Sequence, residues 1–147
     1  MSSTVATALQ SVLVDLIDIS LQGKQAHWNI QGARFRSLHL QLDEIVDLAR
    51  TSSDDVAERL AAIGSSPDGR AVTVSTDSSI GDISSSWIKV SDAYETIESK
   101  LQTASDNIKK HLETVDEADP LSGDLLIGIA TELEKQAWML RSATVAE

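Results

Sequence analysis

The chain has no cysteine. Disulfides and thiolate metal sites are thereby excluded, and a reducing compartment fits, with the cytoplasm the expected location. No uninterrupted apolar run is long enough to span a bilayer, so no membrane association is expected. The N-terminal MSSTVATALQ has no basic stretch followed by an apolar one, and so reads as no secretory signal. Basic residues are scarce: 12 Lys and Arg stand against 23 Asp and Glu, a formal net charge of −11. Neither terminus carries a basic tail, and the chain ends RSATVAE. Non-specific affinity for DNA is carried mainly by Lys and Arg, so DNA binding is expected to be weak or absent. The acidic balance fits plain solubility and fits attraction of cations equally well.

What is present is helical periodicity. With 147 residues, 41% of them hydrophobic, the chain reads as a single domain over 1–147 with a real core. Val5, Leu9, Val12, Leu13, Leu16, Ile17 and Leu21 form an apolar stripe that predicts a first helix from about Thr4 to Ile30, with Gly23 its only weak point. Gln31-Gly32-Ala33 reads as a turn, and a second helix is expected from about Phe35 to Ile63, stopped by GSSPDG. Residues 64–86 are rich in Ser, Gly and Asp and read as a connection, with a short helix expected around Ser78 to Ile83. In the third helix Trp87, Tyr94, Leu101, Ile108 and Val115 repeat every seven residues, and Val90, Ile97 and Ala104 form the neighbouring seam, which His111 continues. A fourth helix is expected from about Leu121 to Ala143, with Leu125, Leu126, Ile129, Leu133 and Leu140 inward. Trp87 and Trp138 are expected in the core or at contacts. No strand pattern competes. The expected fold is all-α, a ferritin-like four-helix bundle with a long crossover between the second and third helices.

The chemistry concentrates between His27 and Glu58. His27, His39, Asp43, Asp54 and Glu58 follow one another with the spacing x11, x3, x10 and x3. At about 100° per residue, Asp43, Asp54 and Glu58 lie roughly 40°, 60° and 100° from His39, within one sector of the second helix. At about 1.5 Å per residue, however, Asp43 and Asp54 are roughly 16 Å apart, so one helix cannot close a metal site alone. The numbers of His39 and Glu58, and of Asp43 and Asp54, both sum to 97. Two copies of this helix crossing antiparallel about a two-fold between Leu48 and Ala49 bring each residue level with its complement in the other copy. An isologous dimer repeats every such contact, giving two sites. Reflecting the first hairpin about Ala33 sets His27 level with His39. Imidazoles with carboxylates suit iron, and zinc is expected to compete. The Glu-x-x-His motif of sites inside a single bundle is absent: Lys24, Arg36 and Ile108 stand three residues before the histidines. The same axis pairs Asp47 with Arg50 across the dimer.

Alternatives stay open at several positions. Asp55 neighbours Asp54 but lies about 100° away. His111 reads as structural. Trp28 reads as an interface aromatic and Lys24 as a surface charge. Glu117, Asp119 and Asp124 make an acidic turn that solvation, helix-terminus charge or an ion path explains.

KQAHWN, His39-x3-Asp43, DDVAER around Asp54 and Glu58, and ELEKQAWML near the C-terminus together resemble the Dps family. These are mini-ferritins named for DNA protection in starved cells, and the resemblance covers nearly the whole chain. It implies a dodecameric shell in which ferrous iron is oxidised, preferentially by hydrogen peroxide, and stored as ferric mineral. The implied ferroxidase ligands, two ferrous ions to a site, are His27, His39 and Asp43 of one subunit with Asp54 and Glu58 of another. Glu58 would be the strongest ligand. The resemblance implies in addition that Trp28 packs beside the site and that Lys24 pairs with a ligand carboxylate. The resemblance also favours an ion-entry pore involving Asp119 and Asp124. The alternative within the same fold is a DNA-compacting, nucleoid-associated protein without major ferroxidase turnover.

Overall fold

The computed structural model describes residues 3–146. Four long helices, α1 (Ser3–Asn29), α2 (Phe35–Ala62), α4 (Val90–Ala118) and α5 (Pro120–Ser142), pack as a bundle. A seven-residue helix, α3 (Ala71–Asp77), lies in the crossover between α2 and α4. The apolar stripes meet inside: Leu9, Leu16, Leu38, Leu42, Ile45, Leu101, Ile108, Leu126, Leu133 and Leu140 are all fully buried in one core. Each such side chain contributes about 1.5–3 kcal/mol relative to exposure. By length and composition α1 would pass for a membrane span, with a mean hydropathy of 1.5 despite its two interrupting aspartates, but 56% of that window is buried in the bundle. Its apolarity belongs to the core.

Gly23 is not a weak point. A Cβ there would sit 2.8 Å from Val46 Cγ2, so glycine is what lets α1 approach α2. The α1–α2 turn uses two left-handed residues, Gly32 at φ 129° and Arg34 at φ 66°. Arg34 carries the strain of that conformation while its guanidinium lies 4.8 Å from the Tyr94 ring centroid and donates to the Ala143 carbonyl at 2.6 Å. The α4–α5 turn is shorter still. Asp119 alone separates the helices, Pro120 supplies a φ suited to a first helical turn, and Gly123 approaches Asp116 so closely that a Cβ would lie 2.8 Å from the Asp116 Cα.

The crossover departs from expectation. Its helix falls at Ala71–Asp77, not at 78–83. Asp68 accepts from the Arg70 backbone N–H, the Arg70 guanidinium and Thr73 Oγ1, and so fixes a helix entry several residues early. Residues 78–83 instead run irregularly over α1 and α4, held by side chains that take up their backbone groups. The buried Asp15 accepts from Ser79 N and Oγ, Gln22 donates to Gly81 O, and Lys100 Nζ donates to Ile80 O at 2.9 Å and Asp82 O at 2.8 Å. A strand pair, which the pattern did not predict, also forms: β1 (Ile30–Gln31) runs parallel to β2 (Ile88–Lys89), tying the end of α1 to the start of α4. Consequently α4 begins at Val90, and Trp87 stands 66% exposed in the crossover. Trp138 is also outside the core, at 55% exposed. His111 is half-buried; burial, with Lys110 nearby, pushes its pKa down.

Candidate metal centre

His27 lies in the last turn of α1, where carbonyls have no helical partner, and His39 lies at the start of α2. The hairpin brings them face to face, with ring centroids 3.6 Å apart and planes 10° from parallel. His27 Nδ1 bonds the His39 carbonyl at 2.7 Å, and His39 Nδ1 bonds the His27 carbonyl at 2.8 Å. A carbonyl only accepts, so each Nδ1 carries a proton, and Nε2 is the ring nitrogen left to bind a metal ion. Metal-binding histidines are commonly oriented in this way, by a backbone carbonyl at the other nitrogen. Phe35, one helical turn before His39, stacks on that ring at 4.9 Å. The i, i+4 spacing of Phe35 and His39 was the signal that could have revealed this contact.

Asp43 is one turn beyond His39. Its Oδ1 lies 3.6 Å from His27 Nε2 and accepts from Lys24 Nζ at 2.6 Å. The Lys24 hydrogen bond is the main reason that the Asp43 carboxyl titrates below its ordinary range, so Asp43 is an anion ready for a cation. The cluster contributed by one chain is therefore His27, His39 and Asp43, with Lys24 against the carboxylate. Trp28, next to His27, is 65% exposed.

Asp54 and Glu58 do not join that cluster. Both are exposed on α2, as is Asp55, roughly 16 Å or more along the helix from Asp43. Among the described residues no three His, Asp or Glu side chains within one chain converge enough to hold a metal ion. Asp47 and Arg50 are also exposed, and among the described residues neither enters an ion pair within the chain, although they are three residues apart. Asp47, Arg50, Asp54 and Glu58 thus stand exposed along α2, apart from the His27, His39 and Asp43 cluster.

A sequence model described as the ferritin-like domain matches residues 6–145. The chain is 34% identical over 141 residues to the DNA protection during starvation protein of Mycolicibacterium smegmatis, covering 96% of this chain and 77% of that one. The chain belongs to the ferritin-like Dps family. It is 32% identical over 135 residues to DNA protection during starvation protein 2 of Deinococcus radiodurans, covering 92% of this chain but only 56% of that longer relative. Among solved structures, that of Dps from Microbacterium arborescens in the high iron form superimposes with a TM-score of 0.90 at 29% identity, covering 97% of this chain and 96% of that one.

At the other end of this Dps bundle the acidic turn is not uniform. Asp119 is buried, accepts from Arg59 Nη2 at 2.8 Å and from Ser122 Oγ, and titrates below its ordinary range chiefly because of the Arg59 bond. It braces α2 against the α4–α5 turn. Of the two residues considered for an ion path, Asp124 is the exposed one.

Proposed function

We propose that this Dps-family chain is a ferroxidase and iron store. Its substrates are ferrous iron and hydrogen peroxide, and its sites are shared by two subunits of a dodecameric shell that keeps the ferric product as mineral. The observation that carries the reading is the reciprocal lock of His27 and His39, which fixes both tautomers and offers two Nε2 lone pairs beside an anionic Asp43. A mixed nitrogen and oxygen donor set suits iron and admits zinc as a competitor. Asp54 and Glu58 of a second copy complete the set under the two-fold that makes both residue pairs sum to 97.

In this scheme the chain's residues bind and orient. The Nδ1–H bonds hold each imidazole so that no reorganisation is needed when iron arrives, and Lys24 keeps Asp43 ionised until a cation competes for it. Two ferrous ions at one site each give one electron to a peroxide. The O–O bond breaks, two protons are taken up, and two waters form with no hydroxyl radical released. Removal of both reagents is itself a protection of DNA. Direct DNA binding draws no support from a net charge of −11. The resulting protein works in the cytoplasm, as a shell of twelve chains.

Ferrous iron added anaerobically, then peroxide, tests the scheme through ferric absorbance. The protein is expected to accelerate oxidation well beyond a buffer control, and His39→Ala with Glu58→Ala to remove the fast phase while the shell still assembles. No acceleration by the wild-type shell would refute the ferroxidase reading.

A further inference from the structure

Leu21 continues the apolar stripe of α1, yet it is 55% exposed while Leu13 and Leu16 are buried. Taking Leu13 as zero, Ile17 and Leu21 lie about 40° and 80° round the helix, so the three share one face. On that face, between α1, α2 and the crossover, is an open hollow of about 340 Å³. It is lined by the apolar Leu13, Ile17, Ala57, Pro67 and Gly69 and, along α2, by Arg50, Ser53 and Asp54. The Gly69 position is tight against this wall, since a Cβ there would lie 3.1 Å from Ile17 Cδ1. An exposed knob and an apolar hole therefore lie on the same surface, displaced along it.

The two-fold of the proposed function determines what meets them. In the hairpin, residue x of α1 is level with 66 − x of α2, and across the dimer residue y of α2 is level with 97 − y. Residue x of α1 is then level with 35 − x of the partner's α1. Leu21 falls level with residues 14 and 52 of the other chain, within the hollow's span of 13–17 on α1 and 50–57 on α2. We infer that Leu21 of each subunit plugs this hollow in its partner, in two equivalent contacts beside Asp54. The occupant is a second copy of the same chain. The knob covers apolar wall that each chain alone leaves open and closes the Asp54 side of the shared site to water.

The inference rests on the shared-site reading for its axis, but its test needs no iron. Because the chain has no cysteine, Leu21→Cys with Ser53→Cys gives a clean cross-link. Within one chain these positions are about eight residues apart in level, roughly 12 Å, beyond disulfide reach. Across the dimer they are about one residue apart. Mild oxidation of the assembled double variant is expected to shift the bulk of the chains from monomer to covalent dimer on a denaturing gel. Either single variant should stay monomeric, since Leu21 lies about seven levels from its own symmetry mate, roughly 10 Å. Leu21→Asp, at an exposed position, should leave each chain helical and move the shell toward smaller species. A double variant that stays monomeric, a Leu21→Cys single that cross-links equally, or unaltered assembly of Leu21→Asp overturns the plug. Cross-linking without peroxide-driven oxidation would instead leave the plug standing and refute the ferroxidase reading.

Discussion

Two residues whose side chains answer each other's backbone form the centre of the candidate site, with His27 buried and His39 partly exposed. The His27–His39 lock uses a carbonyl that the end of α1 would otherwise leave unpaired, so helix termination and ligand orientation are a single event. The spacing of His27 and His39 was legible in the sequence because both lie six residues from the turn. The lock was not, because it depends on ring rotation. Asp119 illustrates the same limit. Its place in an acidic turn was legible, but its partner Arg59, from a helix sixty residues away in sequence, was not. That pairing has a pH signature. A folded-state pKa held below the unfolded value near 3.9 contributes stability that is present above about pH 3.9 and is lost as pH falls through the folded value. Asp119→Asn is therefore expected to cost about 1–3 kcal/mol at pH 7, with the gap from wild type closing progressively below about pH 3.9. Urea midpoints at fixed protein concentration measure it, and a gap constant from neutral to acid pH would contradict the pairing.

Among the elements, the four long helices were read almost to the residue, because a stripe repeated over many turns has one physical solution. The α1, α2 and α5 ranges agree with the periodicity within about two residues, the margin of any helix end. Only the start of α4 moved, from Trp87 to Val90, because β2 takes Ile88 and Lys89. The crossover was less legible. Its conformation is imposed by Asp15, Gln22 and Lys100, polar residues of α1 and α4 whose burial no local pattern announces. Glycines in α5 make the distinction testable within one helix. Gly123 sits against α4 with no room for a Cβ, while nothing lies within 4 Å of the Cβ position at Gly128. Gly123→Ala is expected to destabilise by about 1–3 kcal/mol through overpacking. Gly128→Ala should stabilise by about 0.5–1 kcal/mol through helix propensity. Thermal or chemical denaturation of the pair checks the signs, and a Gly123→Ala protein as stable as wild type would show that the α4–α5 approach is soft.

For the whole molecule, one chain carries the His27, His39 and Asp43 cluster, the exposed Leu21, a largely apolar hollow and two opposite charges, Asp47 and Arg50, on the surface that α1 and α2 share. The two-fold of the proposed function comes from equal residue sums in the sequence, the numerical trace that a symmetric contact between straight helices would leave. Exposure of Leu21 was not legible, since periodicity alone places it with the core. Molecular charge sets a further expectation. With a net charge of −11 on each chain, the assembled protein should give no gel shift of duplex DNA at low or physiological salt. A salt-sensitive shift would favour the DNA-compacting alternative.

The central claim, that each site belongs to two chains, is tested most directly by complementation. His39→Ala and Glu58→Ala chains are each expected to form shells without fast peroxide-driven iron oxidation. In a mixed dimer, one site combines both defects and the other has neither. Randomly co-assembled shells in equal proportion should therefore recover about a quarter of the wild-type fast phase, as two-fold reciprocity requires. Mixed shells as inactive as either parent would place all the ligands within one chain and contradict the account.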